Sequence, residues 1–336
     1  MTMETGEPLR RTHAALLESI QATVKAFDEG ARGNVAVLVP PFSSFAVMPR
    51  DLHSSKGLSI SRTVLSGFPD GEPLDDVNGS IAILEGCHHL YRMSIGGFAV
   101  LRKFLRDIEE DDGRLFITVW NAKAWKYLDQ AVGLGAHFPV QLRMPELCQN
   151  ELRDIIMEKY DEGEIDFQYD DMPTKEPIVE WLPHEYSFMG KDRETSLPRI
   201  DGNALRRALL RRKVYLSAEE KVFSQIHYLS KGNLGAAQEI WIRSLDYPVI
   251  RPSYVLNACK RFMMDNGEAF VAANILRKGK VSMEEMREDI GDQVPLDLIV
   301  SNLRNKGIVN SDGSVLKIRA ENLSFTLDSL AKHGMV

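Results

Sequence analysis

Two polar residues stand where chemistry could begin: Glu85, ending the apolar run Ile81-Ala-Ile-Leu-Glu, and Asn121, ending Leu115-Phe-Ile-Thr-Val-Trp-Asn. Between them, the run from Tyr91 to Asp111 around Gly96-Gly97-Phe98 has helical spacing. An apolar run closed by an acid, an amphipathic helix, and a second apolar run closed by a polar residue is the pattern of a parallel α/β sheet with a phosphate site.

Other residue groups have weaker claims. Glu85, Cys87, His88 and His89 are close in sequence. Adjacent histidines are expected to point apart, so this reads as a strand exit with surface histidines and not a metal shell. Asp75-Asp76 and Glu109-Glu110-Asp111-Asp112 lack calcium-loop spacing and read as solvated charge. Arg206, Arg207, Arg211 and Arg212 form the strongest cationic cluster. They suit a phosphate backbone, an acidic partner, or a solvated helix face balanced by Glu219 and Glu220.

The positioning elements follow from periodicity. Leu16, Leu17, Ile20, Val24 and Phe27 share one face of a helix over residues 10–29, and residues 34–39 form an apolar strand stopped by Pro40-Pro41. Further strands are expected at 58–65, 80–85, 114–120 and 139–143, with helices at 95–111, 122–131 and 146–160. Residues 161–198 are rich in acids, prolines and aromatics without a period, and read as an irregular insertion. Helical spacing returns at 201–212, 217–230 and 233–245. Helix 267–278, a capping box at Ser282 and Glu285, helix 295–306 and a hairpin at Asp312-Gly313 then follow the order of a winged helix-turn-helix. The expected division is an α/β core over 1–160, an insertion and helical lid over 161–250, and a winged-helix domain over 251–336.

With 336 residues, 44% hydrophobic and 26% charged, the chain can bury a core and divide into more than one domain. A net charge of -7 argues against non-specific wrapping of nucleic acid and against docking on an anionic membrane, though a local basic patch is allowed. Cys87, Cys148 and Cys259 fit neither a disulfide framework nor a metal knuckle and are expected to be buried thiols in a reducing compartment. The acidic N-terminus and the lack of 18 unbroken apolar residues predict a cytoplasmic protein with no membrane insertion.

Residues 81–245 resemble a prokaryotic branch of the AAA+ P-loop ATPases, relatives of the origin-recognition and STAND-type signalling ATPases. The resemblance lies in Leu90-Tyr-Arg-Met-Ser-Ile-Gly-Gly-Phe-Ala-Val-Leu-Arg102, Asn121-Ala-Lys-Ala-Trp-Lys-Tyr-Leu-Asp129 and Leu229-Ser-Lys-Gly-Asn-Leu-Gly-Ala-Ala237, with residues 241–245. It implies a core sheet, a helical lid and an appended winged helix around a site for ATP and Mg²⁺. The family places a glycine- and lysine-bearing loop after the first strand. Residues 39–49 here have neither residue type, two prolines remove amide donors, and Phe42 and Phe45 would fill the phosphate space. The family's paired strand-end acids align with Glu85 and Gly86, and glycine cannot act as a base. Asn121 keeps the polar residue that the family uses to orient water or phosphate, while Leu234 and Gly235 stand where a lid cation is often found.

The resemblance thus implies a degenerate site: a remnant pocket at Glu85 and Asn121, no catalysis and no resident cofactor. The expected function is a non-catalytic interaction or scaffold protein, a regulatory partner of another protein or of a related ATPase. The alternative is a DNA-binding regulator acting through the winged helix, where Arg304, Lys306, Lys317 and Arg319 could contact the duplex. Residues 267–336 carry nine Lys and Arg against ten Asp and Glu, which favours protein docking over DNA reading. An atypical ATPase with Glu85 as metal ligand is the third reading. Homo-oligomerisation is left open.

Overall fold

The computed structural model describes residues 7–43, 57–69, 71–75, 77–170, 179–188, 191–200, 216–256, 263–291 and 294–335. The chain is a mixed α/β protein built on a five-stranded parallel sheet. Its strands are β1 (Val35–Val39), β2 (Ile60–Val64), β3 (Ile81–Glu85), β4 (Leu115–Asn121) and β5 (Val140–Arg143), in the order β2-β3-β4-β1-β5. Every pairing is parallel, so the carboxyl ends of β1, β3 and β4 lie along one edge.

Period-two burial explains why these runs become central strands. Val35, Val37 and Val39 face one side with Ile81, Ile83, Ile117 and Val119, where α1 (Glu7–Asp28) lays down Leu16, Ile20, Val24 and Phe27. Ala36, Leu38, Leu84, Phe116 and Trp120 face the other, under α2 (Ala99–Glu110) and α3 (Ala122–Val132). Both faces are covered, as an all-parallel sheet requires. The one buried hydroxyl in β4 is satisfied: Thr118 Oγ1 donates to the Val35 carbonyl at 3.0 Å and accepts from Trp120 Nε1 at 2.8 Å.

Beyond the sheet come α4 (Gln149–Met157), β6 (Asp166–Phe167), β7 (Val179–Phe188) and β8 (Lys191–Ile200). β7 and β8 pair antiparallel along their whole length, which corrects the expectation of an irregular insertion at 161–198. Pro183 and Pro198 hid these strands from a sequence reading. They are tolerated because each strand has one partner, leaving the other side free of ladder bonds.

The lid helices are α5 (Ala218–Ser230) and α6 (Leu234–Ser244), followed by β9 (Val249–Ile250) and α7 (Pro252–Leu256). The expected helix at 201–212, with Arg206, Arg207, Arg211 and Arg212, lies outside the described residues.

The C-terminal unit contains α8 (Asn266–Lys278), β10 (Val281–Ser282), α9 (Met283–Ile290), α10 (Leu296–Asn305), β11 (Val309–Asp312) and β12 (Val315–Ile318). Its sheet is antiparallel in the order β10-β12-β11. Ser282 accepts from the Glu285 N–H at 3.0 Å while Glu285 accepts from the Ser282 N–H at 2.9 Å, the reciprocal cap that the spacing predicts. A further helix, α11 (Leu323–Lys332), was not expected from periodicity. One hydrophobic cluster runs from Leu147 through the lid to Leu330, so lid and C-terminal unit share a core.

The lid packs closely against the turn that follows β1. A Cβ on Gly235, at the start of α6, would overlap the Phe42 carbonyl oxygen. Gly235→Ala should therefore cost more than about 2 kcal/mol, against less than about 1 kcal/mol for a permissive site, read from the urea midpoint at unchanged m-value.

Candidate functional site at the carboxyl edge of the sheet

At the end of β1 the chain turns through Pro40, Pro41 and Phe42 instead of opening into a phosphate cradle. Proline has no N–H, so two of the amides that a cradle would use do not exist. Phe42 adopts a left-handed conformation with φ 68, which costs an L residue roughly 1–2 kcal/mol. Neighbours over-determine that conformation. The Asn233 side-chain amide donates to the Pro41 carbonyl, α6 begins against the Phe42 carbonyl, and the ring lies 4.8 Å from Lys317 Nζ. Phe45 lies outside the described residues.

At the end of β3, Glu85 is buried at 8% exposure and accepts from Arg62 Nε of β2 at 2.6 Å. Its charge is thus already neutralised by the neighbouring strand. Gly86 follows with φ 77, and a Cβ there would overlap the Leu65 carbonyl oxygen. The position that aligns with a second acid has no room for one in this backbone.

The chain then makes a 3₁₀ turn over Cys87–His89. The histidines correct the expectation of outward-pointing surface groups: their ring centroids are 4.5 Å apart and His89 is buried. Burial, with Lys278 nearby, lowers the pKa of His89 to about 4, and burial together with His89 and Lys278 holds His88 well below its ordinary value. No group of three or more His, Cys, Asp or Glu able to hold a metal occurs among the described residues. Cys87 is buried and desolvation raises its pKa, whereas Cys148 is exposed, contrary to expectation, and Cys259 lies outside the described residues.

Asn121, at the end of β4, has both ends of its amide engaged. Oδ1 accepts from the Lys123 N–H at 2.9 Å and caps α3; Nδ2 donates to the Leu276 carbonyl of α8 at 2.8 Å. Its own backbone N–H donates to His88 Nδ1 at 3.3 Å. The residue therefore joins three segments.

The last turn of α8 closes the edge. Lys278 is buried at 6% exposure, donates to the Tyr91 carbonyl at 2.8 Å and pairs with Asp289 Oδ2 of α9 at 3.4 Å. Desolvation lowers the Lys278 pKa and raises that of Asp289, each opposed by the other's charge. Arg277 stacks 4.5 Å over Tyr127 and donates to the Met335 carbonyl at 2.9 Å. What remains open is a cavity of about 400 Å³ between the edge and the C-terminal unit, bordered by Phe42, Ser43, His89, Lys278, Lys280 and Lys317.

The sequence singled out Glu85 and Asn121 but missed Arg62 and Lys278 and took the buried His89 for a surface group. Only Lys278 left a signal, as a cation in a helix's last turn. Of the C-terminal cations, Lys306 is held by Glu268 Oε1 at 2.6 Å, Lys317 by Glu239, and Arg319 lies 3.6 Å from Glu321. Arg304 is exposed on α10.

No family model matches this chain, and no curated protein matches it. Solved structures do. Cdc6p from Pyrobaculum aerophilum is 13% identical, with 96% of this chain and 95% of that one covered at a TM-score of 0.38. The Aeropyrum pernix ORC1 protein in complex with DNA is 17% identical, covering 96% and 93% at 0.38. A point variant of RuvB from Thermotoga maritima is 11% identical, covering 94% and 92% at 0.37.

Two outcomes follow for this edge. Asn121→Ala removes a helix cap and strands the Leu276 carbonyl, and should lower unfolding free energy by about 2–3 kcal/mol in denaturant titration. For His89, the folded pKa of about 4 lies below the ordinary 6.5. The unfolded chain therefore binds the proton first, and this group's contribution is intact above pH 6.5 and lost as pH falls toward 4, to a total of about 3 kcal/mol. Stability of His89→Gln, measured against pH, should lack that part of the slope.

Proposed function

We propose that this chain is a non-catalytic interaction protein, an AAA+-like frame that serves as a regulatory partner of another protein or of a related ATPase. The observation that carries the reading is the occupied carboxyl edge. Phe42 and the start of α6 fill the space after β1, Arg62 neutralises Glu85, and α8 takes the Asn121 amide. Phosphoryl transfer needs a cradle, a metal and an oriented water, and among the described residues Glu85 and Asn121, the strand-end groups that could serve it, are bonded elsewhere.

The C-terminal unit, read as a winged helix, fits docking on a protein better than reading of DNA. The outward face of α10 carries Asp297, Leu298, Ser301, Arg304 and Asn305. That is one acid, one cation and an apolar residue 61% exposed, where a phosphate-contacting face needs several free cations. Lys317 and Arg319 turn toward acids of the lid and of the unit itself. Among the described residues no helix is long and apolar enough to cross a membrane.

Purified protein with millimolar ATP and Mg²⁺ should release no phosphate above the uncatalysed background. Glu85→Gln, which keeps a hydrogen-bond acceptor for Arg62, should change nothing. Turnover abolished by that substitution would sink the reading. For the DNA alternative, duplex binding at about 50 mM salt weakened by Arg304→Gln would be the supporting result; absence of binding is expected here.

A further inference from the structure

We propose that a second cavity, on the α3 side of Pro41, binds a small polyanion: a molecule bearing clustered phosphate or carboxylate oxygens on a compact, partly apolar body. The cavity measures about 730 Å³, within the range of small-molecule sites. It is distinct from the smaller cavity under Lys278 and opens where β1, β5, α3, the lid and α11 meet.

Charge points to the ligand class. Lys123 and Lys126 come from the first two turns of α3, Arg143 from the end of β5, and Lys231 from the lid. Lys231 is 3.5 Å from Asp328, whereas Lys123, Lys126 and Arg143 form no ion pair among the described residues. The wall holds two acids, Asp129 and Glu146, and Asp129 Oδ1 already accepts from the Gly135 N–H at 2.7 Å. In a chain of net charge -7, four cations against two acids around one hollow are a local reversal of sign.

Lys123 adds a second argument. It is half-buried, and burial together with Lys126 lowers its pKa in spite of the opposing charge of Glu146, a cost that an oxyanion would relieve. The positive end of the α3 dipole lies at the same place. Trp125, Leu323 and Leu327 supply apolar floor for the body of the ligand. The site does not depend on whether the sheet edge turns over ATP.

Isothermal titration of the full chain at about 50 mM salt, with pyrophosphate and with citrate as separate probes, tests this. Submillimolar binding of at least one probe is expected, weakened about tenfold in Lys123→Gln and in Arg143→Gln and unchanged in Lys280→Gln, which alters the other cavity. Preference for pyrophosphate would assign phosphate oxygens, and preference for citrate carboxylates. No binding of either probe at 5 mM (roughly the weak limit for a specific site) would overturn the proposal, as would binding that Lys280→Gln weakens and the two pocket variants leave unchanged. Circular dichroism of each variant confirms that it is folded, and ATP turnover in the same samples separates this site's outcome from that of the sheet edge.

Discussion

The last turn of α8, seated on the carboxyl edge of the parallel sheet, is the contact on which the rest depends. A helix ends with carbonyls that have no partner inside it. Here one of them, on Leu276, is satisfied by Asn121, and the helix's terminal lysine donates to Tyr91 in return. Burying Lys278 demands an anion, which fixes Asp289 and hence α9. The Lys278 charge adds to the burial that lowers the pKa of the two histidines beside it. Removing one partner of such a buried pair costs far more than the pair contributes to stability, so its value lies in fixing one arrangement of the two units.

A second contact, independent of the first, closes the edge from the other side. Phe42 is held in a left-handed conformation by Asn233 and Gly235, while Lys317 bridges its ring to Glu239 of the lid. Arg243 reaches the buried Glu321 at 2.6 Å, and Arg92 reaches Glu288 at 2.7 Å. The α/β core, lid and C-terminal unit are thus cross-tied by charge, and the lid and C-terminal unit also by their common hydrophobic cluster. The positions where chemistry could occur have become the positions where the units are joined.

The centre of the sheet was legible because β1, β3 and β4 are buried on both faces and read as apolar runs. β1, β3 and β4 fall within one residue of expectation, and the Ser282 capping box falls on the residues its spacing names. β7 and β8 were illegible because proline argues against strands, an argument that fails for a ribbon with single partners. At the edge, the loss of glycine and lysine after β1 could be read directly. The engagement of Glu85 and Asn121 could not, since Arg62 and Leu276 are 23 and 155 residues away in sequence. Gly86 was seen as a missing base, but its positive φ and the nearby Leu65 carbonyl make it a backbone requirement too.

Native-state hydrogen exchange across the joint tests the central claim most directly. If α8 is seated on the sheet edge as described, the amides of Cys87–His89, of the first turn of α3 and of the last turn of α8 open together, with one free energy near that of global unfolding. Exchange of residues 266–335 at a distinctly lower free energy, with the sheet edge still protected, would show that the C-terminal unit detaches on its own and would contradict the account.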